Sequence, residues 1–124
     1  MVNIHDFKRQ QRTLYNKIRF VYSPALKDKV YFTSEGFNHL IYKHSRYPRN
    51  VKEQVLKLRC LLYVPEVIKK CKLVTKTRRK SKDRVFYELP HKVHGGRTIR
   101  VVILKTGNGK YKFLSVMPHN RNRI

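Results

Sequence analysis

The sequence predicts an α+β fold in which N-terminal helices pack on one face of a four-stranded antiparallel meander sheet. Three observations carry that expectation. Apolar residues recur at helical spacing through the first half of the chain, and from Cys71 onward the period changes to two. The connections in this second half are short and mostly glycine-rich, as hairpins require.

Residues 1–28 read as a basic N-terminal helical segment with a ragged stripe of Ile4, Phe7, Leu14 and Ile18. Ser23-Pro24 breaks it, because a residue before proline avoids the helical region. Residues 29–124 read as a single α+β domain that opens with a short strand from Lys29 to Thr33. The stretch Gly36-Phe37-Asn38-His39-Leu40-Ile41-Tyr42-Lys43-His44 then reads as one helix, with Ser34 as its N-cap. Phe37, Leu40, Ile41 and His44 share a face, while His39 and Lys43 are i, i+4 neighbours on another. Pro48 ends that helix. Asn50-x-x-Glu53 resembles a capping box and starts a second helix, striped by Val51, Val55, Leu58 and Leu62. Pro65 suits the first position of a further turn. Strands are expected over 71–77, 84–91, 97–105 and 111–117.

A four-residue loop at 106–109 would set Lys105 opposite Lys110 and Arg100 opposite Ser115. Ile99, Val101, Ile103, Leu114 and Val116 would then take the helices, leaving Arg100, Ser115, Met117, Val102, Phe113 and Tyr111 on the other face. A two-residue turn at Gly95-Gly96 would add His91 to a row with Arg100 and Ser115. A slip of one residue replaces His91 there with Glu88 or Pro90.

Thirty Lys and Arg against seven Asp and Glu leave a formal charge of +23, which points to a polyanionic partner, RNA above all. Eight Tyr and six Phe argue against a disordered basic tail. Cys60 and Cys71 fit neither a disulfide scaffold nor a zinc pattern and read as reduced core residues. No apolar run would span a bilayer and no signal peptide is evident, so the chain is expected to be cytoplasmic where it is made. The acids are scattered, and no Gly-rich phosphate loop, nucleophile elbow or zinc-protease helix occurs, so neither metal nor cofactor is expected. What remains is acid–base chemistry on RNA, whose own 2′-hydroxyl is the nucleophile.

That chemistry needs a base, an acid and cations for the phosphorane. His39 and His44 are the candidates for acid and base in either order, Lys43 and Arg100 for charge stabilisation, and Ser115 for positioning. His91 or His119 is a reserve proton donor. The basic loop with Arg78, Arg79, Lys80 and Lys82, together with Arg97, should grip the RNA backbone, and Tyr111 and Phe113 should stack bases.

The order helix, helix, four-stranded sheet, with His39-x-x-x-Lys43-His44 in the first helix, resembles the barnase–EndoU–colicin–RelE group of small RNases, particularly its phage- and mobile-element-associated members. The resemblance covers about residues 29–119. It rests further on Gly36-Phe37-Asn38-His39-Leu40, Leu62-Tyr63-Val64-Pro65-Glu66-Val67-Ile68 and Phe113-Leu114-Ser115-Val116-Met117. It implies metal-independent RNA cleavage through a 2′,3′-cyclic phosphate, often as a toxin held by an acidic inhibitor protein. A glutamate base of the barnase kind would have to be Glu88, which the preferred register turns away. The rival reading is a non-catalytic RNA-binding domain associated with ribosomal RNA; a DNA-binding accessory protein of a mobile element lacks a recognition-helix pattern.

Overall fold

The computed structural model describes residues 3–44, 47–74, 76–79, 83–93 and 96–118, the side chains of His44 and of 76–79 excepted. Asn3 opens helix α1 (Ile4–Lys17) by accepting from the His5 amide, and Asp6 and Lys17 lie at the helix ends that their charges suit. The residue that anchors α1 is Tyr15, 2 % exposed, whose hydroxyl donates to the Thr33 carbonyl at 2.6 Å, whereas Leu14 is half exposed. Strands β1 (Phe20–Ser23) and β2 (Asp28–Tyr31) follow as an antiparallel hairpin that includes Ser23-Pro24 in its turn region. Residues 1–28 thus give Tyr15 to the core and β1 to the main sheet.

Helix α2 covers only Ser34–Ile41; its N-cap is Thr33 rather than Ser34, and no side chain caps it. Tyr42–His44 forms strand β3, paired with β4 (Tyr47–Pro48). The physical reason lies downstream: Tyr47 precedes a proline and is held extended, offering Tyr42–His44 a strand partner that a last helical turn would forfeit. Lys43 and His44 therefore do not share a helix with His39. Helix α3 (Val51–Leu61) begins as expected, with Asn50 accepting from the Glu53 amide at 2.8 Å. Its buried face is Gln54, Lys57, Leu58 and Leu61, while Val51 and Leu62 are exposed. Helix α4 (Val64–Lys70) carries Pro65 in its first turn and buries Val64, Val67 and Ile68.

Strands β5 (Lys76–Arg79), β6 (Arg84–Lys92), β7 (Thr98–Thr106) and β8 (Tyr111–Pro118) form the expected antiparallel meander, but β5 is displaced. Residues 71–74, expected in it, are irregular, and Arg78 and Arg79, expected in a loop, pair with Phe86 and Val85 as strand. The sheet is larger than four strands, however: its order is β1-β2-β8-β7-β6-β5, with β2 parallel to β8. That parallel pairing spans only Val30–Tyr111 and Tyr31–Lys112, and beyond it α2 and α3 pack on β8. Helix α4 lies across β1, β6 and β7. The core fills the helix side of the sheet with Val30, Leu89, Ile99, Val101, Ile103, Phe113 and Val116. Both cysteines are buried and free.

Two registers differ from expectation, and each decides which side chains meet. The β7–β8 loop is one residue longer, setting Lys105 against Tyr111, and a bulge between Val102 and Ile103 adds a second residue, so Arg100 faces Met117 and Ser115 faces Val102. The loop turns Tyr111 and Phe113 to the helix side, and the bulge at Leu114 restores Ser115 and Val116 to their expected faces. Phe113 accordingly lies in the core, 1 % exposed and stacked on Phe32, and Leu114 is outside the main cluster. The β6–β7 turn closes with Val93 donating to Arg97 O and with Gly96 at φ 80°, one residue away from the two-residue form. Pro90 therefore opposes Arg100, and His91 opposes Ile99 on the other face.

Candidate functional site

The face of the sheet opposite the main core, the open face, carries Glu88 on β6, Arg100 and Val102 on β7, and Ser115 and Met117 on β8, although Ser115 itself is buried, 3 % exposed. The Arg100 guanidinium pairs with Glu88 at 3.2 Å, where the two side chains are 30 % and 15 % exposed, and also touches Met117 Sδ at 3.0 Å. Its Nε is buried with no hydrogen-bond partner among the described residues. Arg100 and Ser115 share a face as expected, at diagonal rather than opposed positions. His91 does not complete their row; the slip that the longer turn imposes puts Pro90 there and brings Glu88 alongside.

Helix α3 adds a side chain that the sequence reading passed over. Lys57 is 6 % exposed, and its ammonium donates to Ser115 Oγ at 3.2 Å and to the Val116 carbonyl at 3.1 Å. No carboxylate lies within ion-pair distance of it among the described residues. Burial, and then the positive charge of Arg49, pushes its pKa from 10.5 down to about 8; Glu53 opposes this and Arg100 adds to it. Lys57 is thus a cation held against solvation cost beside a second cation.

His39 stands at the same seam, on the last turn of α2. Its pKa is lowered by desolvation first, then by Arg49 and Lys57, with Glu35 acting the other way, so the imidazole is neutral at pH 7. Its Nδ1 is buried and lacks a hydrogen-bond partner among the described residues. Arg49 braces this end of α2: its Nε donates to the His39 carbonyl at 3.1 Å and its Nη1 pairs with Glu53 at 3.1 Å. Gln54 ties Arg49 in turn by donating to its carbonyl at 2.6 Å. Gly36 allows α2 to approach β8, since a Cβ there would collide with the Phe113 carbonyl and lie 2.7 Å from the Tyr15 hydroxyl oxygen.

Comparison with known families, curated proteins and solved structures finds no match.

Of the expected site residues, the structure sets Arg100 and Ser115 on one sheet face, where Glu88 pairs with Arg100 and Lys57 reaches Ser115, while His39 is tied to this group only through the charge of Lys57. Lys43 is exposed on β3, away from the helical spacing that linked it to His39. His44 lies on β3 with its side chain outside the described residues, as are His119, Lys80 and Lys82. Arg78 and Arg79 are on β5, opposite Phe86 and Val85, and Arg97 is exposed beside the β6–β7 turn. Tyr111 packs edge-on against Tyr87 at the core margin and Phe113 is enclosed, so neither presents a free ring face for stacking on the open side. Among the described residues no three His, Cys, Asp or Glu side chains are grouped as metal ligands, and no helix is long and apolar enough to cross a membrane.

Proposed function

We propose that the chain is a metal-independent endoribonuclease that cuts RNA by attack of a 2′-hydroxyl on the adjoining phosphodiester. The observation that carries this reading is Lys57, a buried ammonium bonded to Ser115, which lies on the sheet face that also holds the Glu88–Arg100 pair. Two titratable groups at one seam have environments that leave one neutral and the other protonated at pH 7, which is how acid and base roles are divided in such sites. In the proposed reaction, neutral His39 takes the 2′-hydroxyl proton and O2′ bonds to phosphorus. Arg100, held by Glu88, and Lys57 carry the charge of the phosphorane. The bond to O5′ breaks as Lys57 gives that oxygen a proton, leaving a 2′,3′-cyclic phosphate and a 5′-hydroxyl. The resemblance to the barnase–EndoU–colicin–RelE group supports the same chemistry, with Lys57 taking the charge-stabilising place expected for Lys43 and the acid place expected for His39 or His44. The charge of +23 supplies non-specific grip on the backbone, and a cell that makes such an enzyme needs an acidic inhibitor protein.

The test is RNA cleavage in EDTA at low salt by the wild type, His39→Ala and Lys57→Met. The wild type is expected to produce cyclic-phosphate ends and both variants to lose cleavage. Intact RNA with the wild type would leave a basic RNA-binding domain, and equal cutting of DNA would remove the 2′-hydroxyl as nucleophile.

A further inference from the structure

The β1–β2 hairpin carries aromatic rings on the same open sheet face as the candidate site. Val30 and Tyr111, paired in register, face the core side, so the next pair, Tyr31 and Lys112, face the open side. Phe20 opposes Tyr31 and Tyr22 opposes Lys29, which puts these four on that face while Val21 and Ser23 turn inward. Phe20 and Tyr22 are 46 % and 54 % exposed, so both rings are open to a ligand on this face. The Phe20 and Tyr31 rings lie 5.7 Å apart, the Lys29 ammonium sits 4.6 Å from the Phe20 ring centre, and the Lys110 ammonium sits 4.4 Å from that of Tyr31. Rings interleaved with ammonium groups offer unpaired bases a stacking surface and their phosphates a counter-charge, a combination that binds single strands with little regard to sequence.

We propose that this face of the β1–β2 hairpin is a stacking platform for single-stranded RNA, lying beside the candidate cleavage site. Ser115 is three residues along β8 from Lys112, roughly 10 Å at strand rise, so one strand of RNA reaches both. The platform shares with the ribonuclease reading only the identity of the ligand, and it binds whether or not the site cuts. Charge complementarity selects RNA over a protein edge: the cations on this face would repel a second copy of the chain. Duplex RNA, whose bases are already stacked, gains nothing from the rings.

The experiment uses the full chain and an uncleavable 2′-O-methyl oligomer of about eight nucleotides, single-stranded or as a duplex. Phe20→Ala with Tyr22→Ala is expected to weaken single-strand binding by at least about tenfold, from stacking worth roughly 1–3 kcal/mol per base, with duplex binding changed less than about twofold. The chain has no tryptophan, so Phe20→Trp provides a single indole whose emission is expected to be quenched by the single strand and not by the duplex. Unchanged single-strand affinity in the double alanine variant, or equal quenching by both forms, overturns the platform. Loss of self-association in that variant with oligomer affinity intact assigns the face to a second copy and overturns it as well. Cleavage of a dinucleotide, too short to span both places, is expected to survive the alanine substitutions. Failure of the wild type to cut it counts against the ribonuclease reading alone.

Discussion

Replacing Lys57 by methionine separates a lysine kept for chemistry from one kept for structure. Its pKa falls from 10.5 to about 8, a gap of about 2.5 pH units, or roughly 3 kcal/mol against holding the charge inside. Methionine keeps the aliphatic packing and removes that cost, but it leaves Ser115 Oγ and the Val116 carbonyl without their donor, at roughly 1–3 kcal/mol each. The terms oppose each other, so stability at pH 7 is expected to change by no more than about 3 kcal/mol. Between pH 8 and 10.5 the unfolded chain holds the lysine proton and the folded chain has released it, so this group makes stability rise with pH. Denaturant titrations should show the wild type gaining up to roughly 3 kcal/mol on Lys57→Met across that window. Tyr15, pushed up by burial, acts in the opposite sense above pH 10, but equally in both proteins. Meanwhile kcat/KM on RNA should fall by roughly 10²- to 10⁴-fold. Activity within a few-fold of wild type, or no difference in the pH dependence of stability, refutes the reasoning.

The pH profile of kcat/KM, which reports the free enzyme, should be bell-shaped, with a rising limb below 6.5 from His39 and a falling limb near 8 from Lys57. His39→Gln should abolish the rising limb, and a profile flat from pH 5 to 9 would contradict both roles. Glu88→Gln frees Arg100 from its 3.2 Å pair and should raise KM by about tenfold while leaving the rising limb in place, a limb it would remove if Glu88 were itself the base. Gly36→Ala drives a methyl group into the Phe113 carbonyl and the Tyr15 hydroxyl and should cost about 1–3 kcal/mol in denaturant unfolding. A neutral result there would mean α2 does not dock on β8 through this glycine.

The meander was legible because β7 alternates from Thr98 to Ile103, long enough for a period of two to stand out, and short turn sequences separate it from β6 and β8. Strand β1 escaped notice because Phe20 and Tyr22 point outward and Val21 inward, an alternation too short to override the proline after it. The end of α2 was illegible for a related reason: Tyr42–His44 suits a helix locally, and only pairing with Tyr47–Pro48 makes it a strand. The site was half legible. Arg100 and Ser115 kept a common face because the longer loop and the bulge each shift the register by one, and two such shifts restore the alternation. Tyr111 and Phe113, lying between the two, were inverted. Lys57 gave no signal, since α3 has apolar residues on two faces and the stripe through Val51 and Val55 is as regular as the one that is buried.

The buried face of α3 is where local rules fail together. Gln54 and Lys57 take positions that a hydrophobic stripe would fill, and the nearby seam collects three buried polar atoms without partners among the described residues: Gln54 Oε1, His39 Nδ1 and Arg100 Nε. A small domain with a charge of +23 gains nothing in stability from adding a buried lysine next to Arg49 and Arg100. Structure alone would favour leucine at position 57, as at Leu58 and Leu61 one turn on. Under the proposed ribonuclease reading a bound phosphodiester would change the balance, because its negative charge would offset the repulsion between Lys57 and Arg100 and its oxygens could accept from Arg100 Nε. On that reading the cost in the free protein would become affinity for an anion placed between the two cations, and most of all for the more highly charged phosphorane.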